Sequence, residues 1–258
     1  MPSPLLLLCL LARQPPTAKA NSSRPFSIVD NSFLVEEAFN QEPKVVQNIF
    51  GWMRQQGNWQ FSFTQEWPVP GKSHQLSYTI PVNSLDGSRG FGDVLLNYRH
   101  QVLEEGPGRP AFAPRLSVVL PVGTSDVGGG VGGLQVNLPF SKQQSDFYFH
   151  WNAGFTWSPS TAHPDLFSPA LAGSAIYRLD DMCNLMLESV LSFVDGEVAP
   201  DRTKRVRWFT LSPGIRGGWN VGPGKQIVVG AAIPVSWTEG KTYGGIFGYF
   251  SYELPFRK

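Results

Sequence analysis

The residues best suited to chemistry in this sequence are ionisable side chains that stand at alternate positions within hydrophobic stretches. Alternate residues of an extended strand face the same side of a sheet. Charges that line the inside of a pore set its selectivity for ions and solutes. If the strands close into a barrel, the side chains on its inner face line its lumen. The candidates for this lumen-lining role are Glu66, Asp93, Arg99, Arg115, His150, Arg178, Glu188, Arg216 and Glu253.

Two roles for these candidate residues remain open. Four of them are arginines, which would favour anions or neutral solutes if the lumen conducts. In the alternative, the candidates pair with one another and fill a narrow bore, because barrels of this size leave little free lumen. The sequence is compatible with an open pore and with a plugged barrel.

The stretch that most resembles a catalytic pair is the triplet His150-Trp151-Asn152. Lipid hydrolases of the outer membrane place a His and a Ser two residues apart on an outward face. Here Asn152 stands at the nucleophile position, and alternation directs His150 into the lumen. A Ser–His pair must lie within hydrogen-bond reach, and no such pairing is visible in the sequence. We therefore predict that the chain is not an enzyme.

Motifs for metals and cofactors are missing from the sequence. It contains no C-x-x-C and no H-E-x-x-H, so neither a metal nor a cofactor is predicted. The glycine-rich run at 128–133 lacks the Lys-Ser/Thr ending of a phosphate-binding loop. It is more typical of a flexible loop that leads into a strand.

The elements that position the candidate residues are strands with strict two-residue alternation. The clearest stretch is 147–157, where Phe149, Trp151 and Phe155 alternate with His150, Asn152 and Thr156. The polar stripes hold Ser, Thr, Asn, Gln and Gly more often than Lys or Glu. That composition suits a lumen, with the apolar stripe facing lipid. Near the strand ends, where interfacial aromatic girdles form, stand Trp67, Trp157, Trp219 and Trp237.

The alternating stretches predict an all-β fold, a transmembrane antiparallel up-and-down barrel of about 12 strands. The strands are expected to start near Val45, Trp59, Gln75, Gly92, Arg115, Gly133, Phe147, Ala170, Asn184, Trp208, Ile227 and Ile246. Short connections alternate with longer ones (83–89, 123–132, 158–169 and 195–205), as periplasmic turns alternate with outer loops. The connection at 104–111 is longer than its position predicts.

Composition supports the barrel and excludes other classes. Charged residues make up 16% of the 258 residues, aromatics 13%, and the net charge of +1 gives no basis for nucleic-acid binding. The mean hydropathy is −0.14, and no run approaches the ~18 apolar residues of a membrane-spanning helix.

The N-terminus predicts export. Residues 1–20 resemble a signal peptide, with an apolar stretch from Leu5 to Ala12 and a cleavage pattern at Ala18-Lys19-Ala20. Residues 21–44 do not alternate and are expected to form a periplasmic or plug segment, with one amphipathic turn before Pro43. Residues 45–258 form the predicted barrel domain.

Four stretches resemble a bacterial family of outer-membrane transporters associated with phenol meta-cleavage degradation: FLVEEAFNQEP (33–43), GFGDVLLNYRHQV (90–102), PRLSVVLPVGT (114–124) and GGLQVNLPFSK (132–142). These are strand and turn signatures, and the resemblance supplies no catalytic residue. It implies an outer-membrane barrel whose cargo is hydrophobic or aromatic.

The sequence thus predicts an outer-membrane channel for small solutes, including hydrophobic or aromatic ones. Its partners would be outer-membrane lipid and a small-molecule solute, with no nucleic acid; the oligomeric state is not predicted. A non-conducting barrel that binds a ligand or partner, or serves a structural role, is the alternative. A lipid hydrolase is the third hypothesis.

Overall fold

The computed structural model describes residues 24–159, 164–199 and 202–256. Within these ranges the chain forms twelve barrel strands, three of them in two segments. They are β1 (Val45–Gln55), β2 (Asn58–Trp67), β3 (His74–Leu85), β4 (Ser88–Phe91 and Val94–His100), β5 (Ala111–Phe112 and Arg115–Leu120), β6 (Gly133–Gln144), β7 (Phe147–Ser158), β8 (Leu166–Asp180), β9 (Cys183–Ala199), β10 (Arg202–Gly222), β11 (Lys225–Ala232 and Val235–Thr238) and β12 (Lys241–Pro255). Among the residues described, no helix is long and apolar enough to cross a membrane.

The sheet is antiparallel and closed. Each strand pairs with the next in sequence, and β12 pairs back with β1 from Val45↔Pro255 to Gln55↔Gly245. Closure leaves no unpaired strand edge, which a sheet in lipid cannot tolerate. We call the end of the barrel at Val45 and Pro255 the base, and the opposite end the mouth.

The two faces of the wall differ as alternation requires. In β7, Trp151 and Trp157 are exposed on the outside, whereas His150 on the inside is buried. The remaining strands repeat this pattern, with exposed Leu, Val, Ile and aromatic side chains outside and polar ones inside. An apolar exterior around a polar interior is the arrangement of a transmembrane barrel. The predicted fold class and strand number are therefore confirmed.

The connections differ from prediction at two places. β3 and β4 are joined by Asp86 and Gly87 alone, both with positive φ (49° and 92°), as a two-residue hairpin turn requires. β9 extends to Ala199 and β10 resumes at Arg202, so most of the predicted loop 195–205 is strand. The sequence prediction was wrong there because polar residues at strand ends resemble loop residues.

Residues 24–44, which we call the N-terminal segment, lie inside the base half of the barrel. The predicted amphipathic turn around Leu34, Ala38 and Phe39 is wrong, because no helical turn forms in this stretch. Another residue of the segment, Ile28, belongs to an inner apolar cluster with Val228, Ala232, Phe247 and Tyr249. This contact explains why Val228 breaks the polar pattern of the inward face of β11. The predicted signal peptide lies outside the described residues.

Candidate functional site

The N-terminal segment enters and leaves at the base. At its start, Arg24 Nη1 donates to Asp181 Oδ2 (2.9 Å) in the turn between β8 and β9. Between its ends, Ser32 Oγ lies 3.0 Å from Ser174 Oγ of β8. It then returns to Lys44, whose carbonyl accepts from the N–H of Phe256 (2.9 Å). The segment is therefore a loop inserted into the lumen from the base.

The tip of the segment is seated by an aromatic ring on two glycines. Phe33 lies against Gly214 of β10 and Gly230 of β11, where an added Cβ would meet the ring at 3.0 and 2.3 Å. The ring also contacts Phe247 and Tyr249, with centroids 5.4 and 5.2 Å away. Only a residue without a side chain leaves room for Phe33 against this part of the wall.

An ion cluster fixes the returning leg. Glu36 Oε1 lies 2.6 Å from Arg115 Nε and 3.0 Å from Arg99 Nη2. Glu66 is more distant, with 4.0 Å between its Oε1 and Arg99 Nη2. Burial raises the pKa of Glu36, but the guanidinium groups of Arg115 and Arg99 outweigh that effect and lower it to about 2. Glu36 therefore stays charged, and it pairs with two arginines of the lumen.

Arg216 holds the tip from the opposite wall. Its Nη1 donates to the carbonyls of Asp30 (2.7 Å) and Asn31 (2.9 Å). Asp30 in turn accepts hydrogen bonds from Gln47 (2.6 Å) and from the Tyr249 hydroxyl (2.7 Å). Arg216 is buried, so its charge is directed at the segment and not at open solvent.

Three more of the predicted lumen residues also contact the segment. Glu188 Oε1 accepts from the N–H of Leu34 (2.9 Å). Arg178 Nη2 donates to the Arg24 carbonyl (2.6 Å), and Glu253 Oε1 accepts from the side chain of Gln41 (2.9 Å). The charges that the sequence placed in the lumen thus serve largely to bind the chain's own N-terminal segment.

His150 forms a Ser–His pair that is not visible in the sequence. Ser141 Oγ on β6 lies 2.7 Å from His150 Nδ1 on β7, and it accepts from the N–H of Ala38 (2.7 Å). Adjacent strands bring Ser141 and His150 directly opposite one another, a relationship that only the strand register reveals. Ser141 is fully buried beneath Ala38, so the pair anchors the segment and its hydroxyl is closed to a substrate.

Asp93 has a different position from the other candidates. Its carboxylate accepts from the N–H groups of Gly123 (3.0 Å) and Gly129 (2.7 Å). Asn83 adds a bond from its side chain to the Val127 carbonyl (3.2 Å). Asp93 therefore fastens the loop at 121–132 to the mouth and does not touch the N-terminal segment.

Two cavities lie on either side of the segment. On the mouth side is a vestibule of about 420 Å³, bordered by the segment at Phe33 and Glu36 and by wall residues such as Thr64, Asn97 and Tyr249. On the base side is a cavity of about 420 Å³ between the two legs of the segment, bordered by Phe26, Phe39 and Tyr148. In the described part of the chain, no group of three His, Cys, Asp or Glu residues could hold a metal ion.

The uncharged side chains that bind the segment were not predicted from the sequence. They include Gln75, Gln101, Ser141 and Asn152. Alternation marks three of them as inward, but Gln101 follows the end of β4. No sequence signal could identify the segment as their partner, because these contacts join parts of the chain that are distant in sequence.

Comparisons with known proteins show the fold. No family model and no curated protein matches the chain. An outer-membrane channel from Pseudomonas putida F1 superimposes with a TM-score of 0.60 at 8% identity, covering 85% of this chain and 98% of that one. The NanC porin gives a TM-score of 0.47 at 8% identity, covering 81% and 100%. The CymD monoaromatic hydrocarbon channel gives 0.42 at 8% identity, covering 84% and 90%.

The fold is that of bacterial outer-membrane barrels, which confirms the predicted outer-membrane β-barrel class. The structural neighbours include channels, but none of them is described as a member of the phenol-degradation family. That part of the resemblance stays a prediction.

Proposed function

We propose that this protein is an outer-membrane channel for small solutes, closed by its N-terminal segment. One observation carries the proposal. The segment separates two cavities of about 420 Å³ each inside one closed barrel. The segment contributes no strand to the barrel sheet, so it can leave the lumen without breaking a strand pairing. The similarity to an outer-membrane channel of Pseudomonas putida F1 supports the same function.

The solutes that fit are small and amphipathic. The vestibule joins the rings of Phe33, Phe247 and Tyr249 to polar groups such as Asn97 and Thr64. An aromatic solute that carries a hydroxyl or a carboxylate could pack its ring against these aromatic side chains and form hydrogen bonds with the polar groups. Withdrawal of the segment would remove Glu36 from Arg99 and Arg115, so the open lumen would favour neutral or anionic solutes.

The alternative is a non-conducting barrel that binds a ligand or partner. The many hydrogen bonds that hold the segment favour this alternative, because each of them opposes opening. A lipid hydrolase is not favoured, since Ser141 is covered by Ala38. Conductance separates the first two hypotheses.

The test compares full-length protein with the double variant Asp30→Ala, Phe33→Ala in planar bilayers. Both changes remove contacts of the tip and leave the wall intact. We expect rare openings of the wild type and frequent openings of the variant, with a reversal potential in a salt gradient that indicates anion preference. No current from either protein, with folding verified by heat-modifiable gel migration, would leave the non-conducting barrel as the better hypothesis.

A further inference from the structure

The returning leg of the N-terminal segment is held mainly through its main chain. Asn152 accepts from the N–H of Glu36 (2.8 Å) and donates to the Glu36 carbonyl (2.8 Å). Gln101 accepts from the N–H of Asn40 (3.2 Å) and donates to the carbonyl of Ala38 (2.8 Å). Each of these two amide side chains binds one N–H and one carbonyl of the segment's main chain. Such binding does not depend on the side chains of the bound peptide.

Further wall residues continue this recognition from strand to strand. Glu188 of β9 accepts from the N–H groups of Leu34 and Val35, Ser141 of β6 from Ala38, and Gln75 of β3 from Gln41 (2.6 Å). Arg99 of β4 donates to the Phe39 carbonyl (2.7 Å). Successive groups of the peptide therefore meet successive parts of the wall from β9 to β3. One common mode of peptide binding adds the peptide as a strand to a sheet edge, whereas wall side chains bind the main chain here.

We propose that this inner wall is a binding site for an extended acidic peptide, and that residues 34–41 are its exchangeable occupant. Two pockets give the site its sequence preference. Arg99 and Arg115 select an acid at the position of Glu36. Two residues further on, Ala38 packs against Ala111 and Ala113 with no exposed surface, which selects a small residue.

The structure of the wall favours exchange. The barrel sheet closes through β1 and β12 without the segment, so the wall keeps its backbone hydrogen bonds when the site is empty. After Lys44 the segment is tethered directly to β1, which gives it an effective concentration of the order of millimolar. A free peptide can therefore compete only when the resident segment binds weakly.

The experiment weakens the resident segment in the full-length chain. The double variant Glu36→Ala, Ala38→Leu removes the acid and overfills the alanine pocket but leaves the wall unchanged. A fluorescently labelled peptide of residues 33–42, FLVEEAFNQE, is titrated in detergent and followed by anisotropy. We expect saturable binding to the variant that is at least about tenfold tighter than binding to the wild type. Should the double variant not fold, Glu36→Ala alone is used and should give an intermediate affinity.

Two matched controls identify main-chain recognition. N-methylation of Glu36 and Ala38 in the peptide removes donors to Asn152 and Ser141, and should weaken binding by up to about tenfold for each lost bond. N-methylation of Glu37, whose N–H forms no hydrogen bond in the described part of the structure, should have less effect. In the wall, adding Asn152→Ala should weaken binding, whereas adding Gln55→Ala, an inward amide bonded to Ser236 at the mouth, should not.

Peptide binding is measured by anisotropy and not by current. Its result therefore tests the peptide-binding proposal independently of whether the barrel conducts. Absence of binding to the folded weakened variants would overturn it. Equal binding of the peptide methylated at Glu36 and Ala38 would show that apolar contact, and not main-chain recognition, holds the segment. A barrel that binds the peptide and conducts no ions would keep this inference and overturn the channel function.

Discussion

Glu36 of the N-terminal segment and Arg115 of β5 form an ion pair across the lumen, with Oε1 2.6 Å from Nε. Arg99 shares the same carboxylate oxygen at 3.0 Å. One acid that is not part of the barrel sheet therefore pairs with two arginines that the alternation of β4 and β5 directs inward. The pair connects the proposed closed state to the proposed anion preference of the open lumen.

Replacement of Glu36 by Ala should destabilise the closed state. Loss of one partner from a largely buried ion pair costs several kcal/mol, and the partial exposure of Glu36 reduces this to about 2 kcal/mol. Such a cost raises the open population about 30-fold. The measurement is open probability in planar bilayers. As a control, Glu239→Ala removes an exposed acid paired with Lys204 at the mouth and should leave gating unchanged. Equal gating of the two variants would contradict the role of Glu36.

The same ion pair predicts a pH dependence. The pKa of Glu36 is lowered to about 2 when the segment is bound, against an ordinary 4.5 when it is released. Its contribution to closure is therefore fully present above about pH 4.5 and is lost as the pH falls toward 2. Because Glu36 stays charged in this range, the pair should not change open probability between pH 7 and 5, and it should raise open probability below about pH 4. A rise between pH 6 and 5 would show that another group controls the segment.

Gly230→Ala should displace Phe33 from its seat. The added Cβ would lie 2.3 Å from the Phe33 ring, so the tip must move. The control Gly248→Ala places a methyl group in open space on β12. Limited proteolysis of folded protein should cut residues 24–44 faster in Gly230→Ala only. Equal rates in both variants would mean that Phe33 does not hold the tip.

The assignment of faces is tested in β7 by two arginine substitutions. Trp151 is 40% exposed on the outside, and Thr156 on the inside accepts a hydrogen bond from Gln135. An Arg near the bilayer midplane costs ~2–4 kcal/mol on the lipid face and much less in the lumen. Reversible unfolding in lipid should therefore show a larger loss of stability for Trp151→Arg than for Thr156→Arg. The opposite order would mean that the two faces are inverted.

Asp93→Ala should free the loop at 121–132. The carboxylate accepts from the N–H groups of Gly123 and Gly129, and both bonds would be lost. We expect faster proteolysis within this loop, with unchanged protection of residues 24–44. Asp126→Ala, which removes an exposed acid of the same loop, is the matched control. A cleavage rate as slow as that of the control would show that Asp93 does not fasten the loop.

Alternation by itself determined the barrel. Each strand carries its own two-residue pattern, and the faces of Phe149, His150 and Asn152 follow from that local pattern alone. Lipid outside and water inside impose the same rule on every strand, so the class and number of strands could be predicted without any long-range information. Strand ends were predicted less well, because polar residues at the ends of β9 and β10 suit both a strand and a loop.

What the lumen charges do was decided by tertiary structure. The inward positions of Arg99, Arg115 and Arg216 follow from alternation, but their partners Glu36, Asp30 and Asn31 lie in a segment without periodicity. Contacts between a folded wall and an irregular segment depend on where the segment runs, which no local pattern encodes. The pairing of Ser141 with His150 likewise depends on strand register. Alternation fixes the face of a side chain, whereas closure of the barrel decides which side chains meet across it.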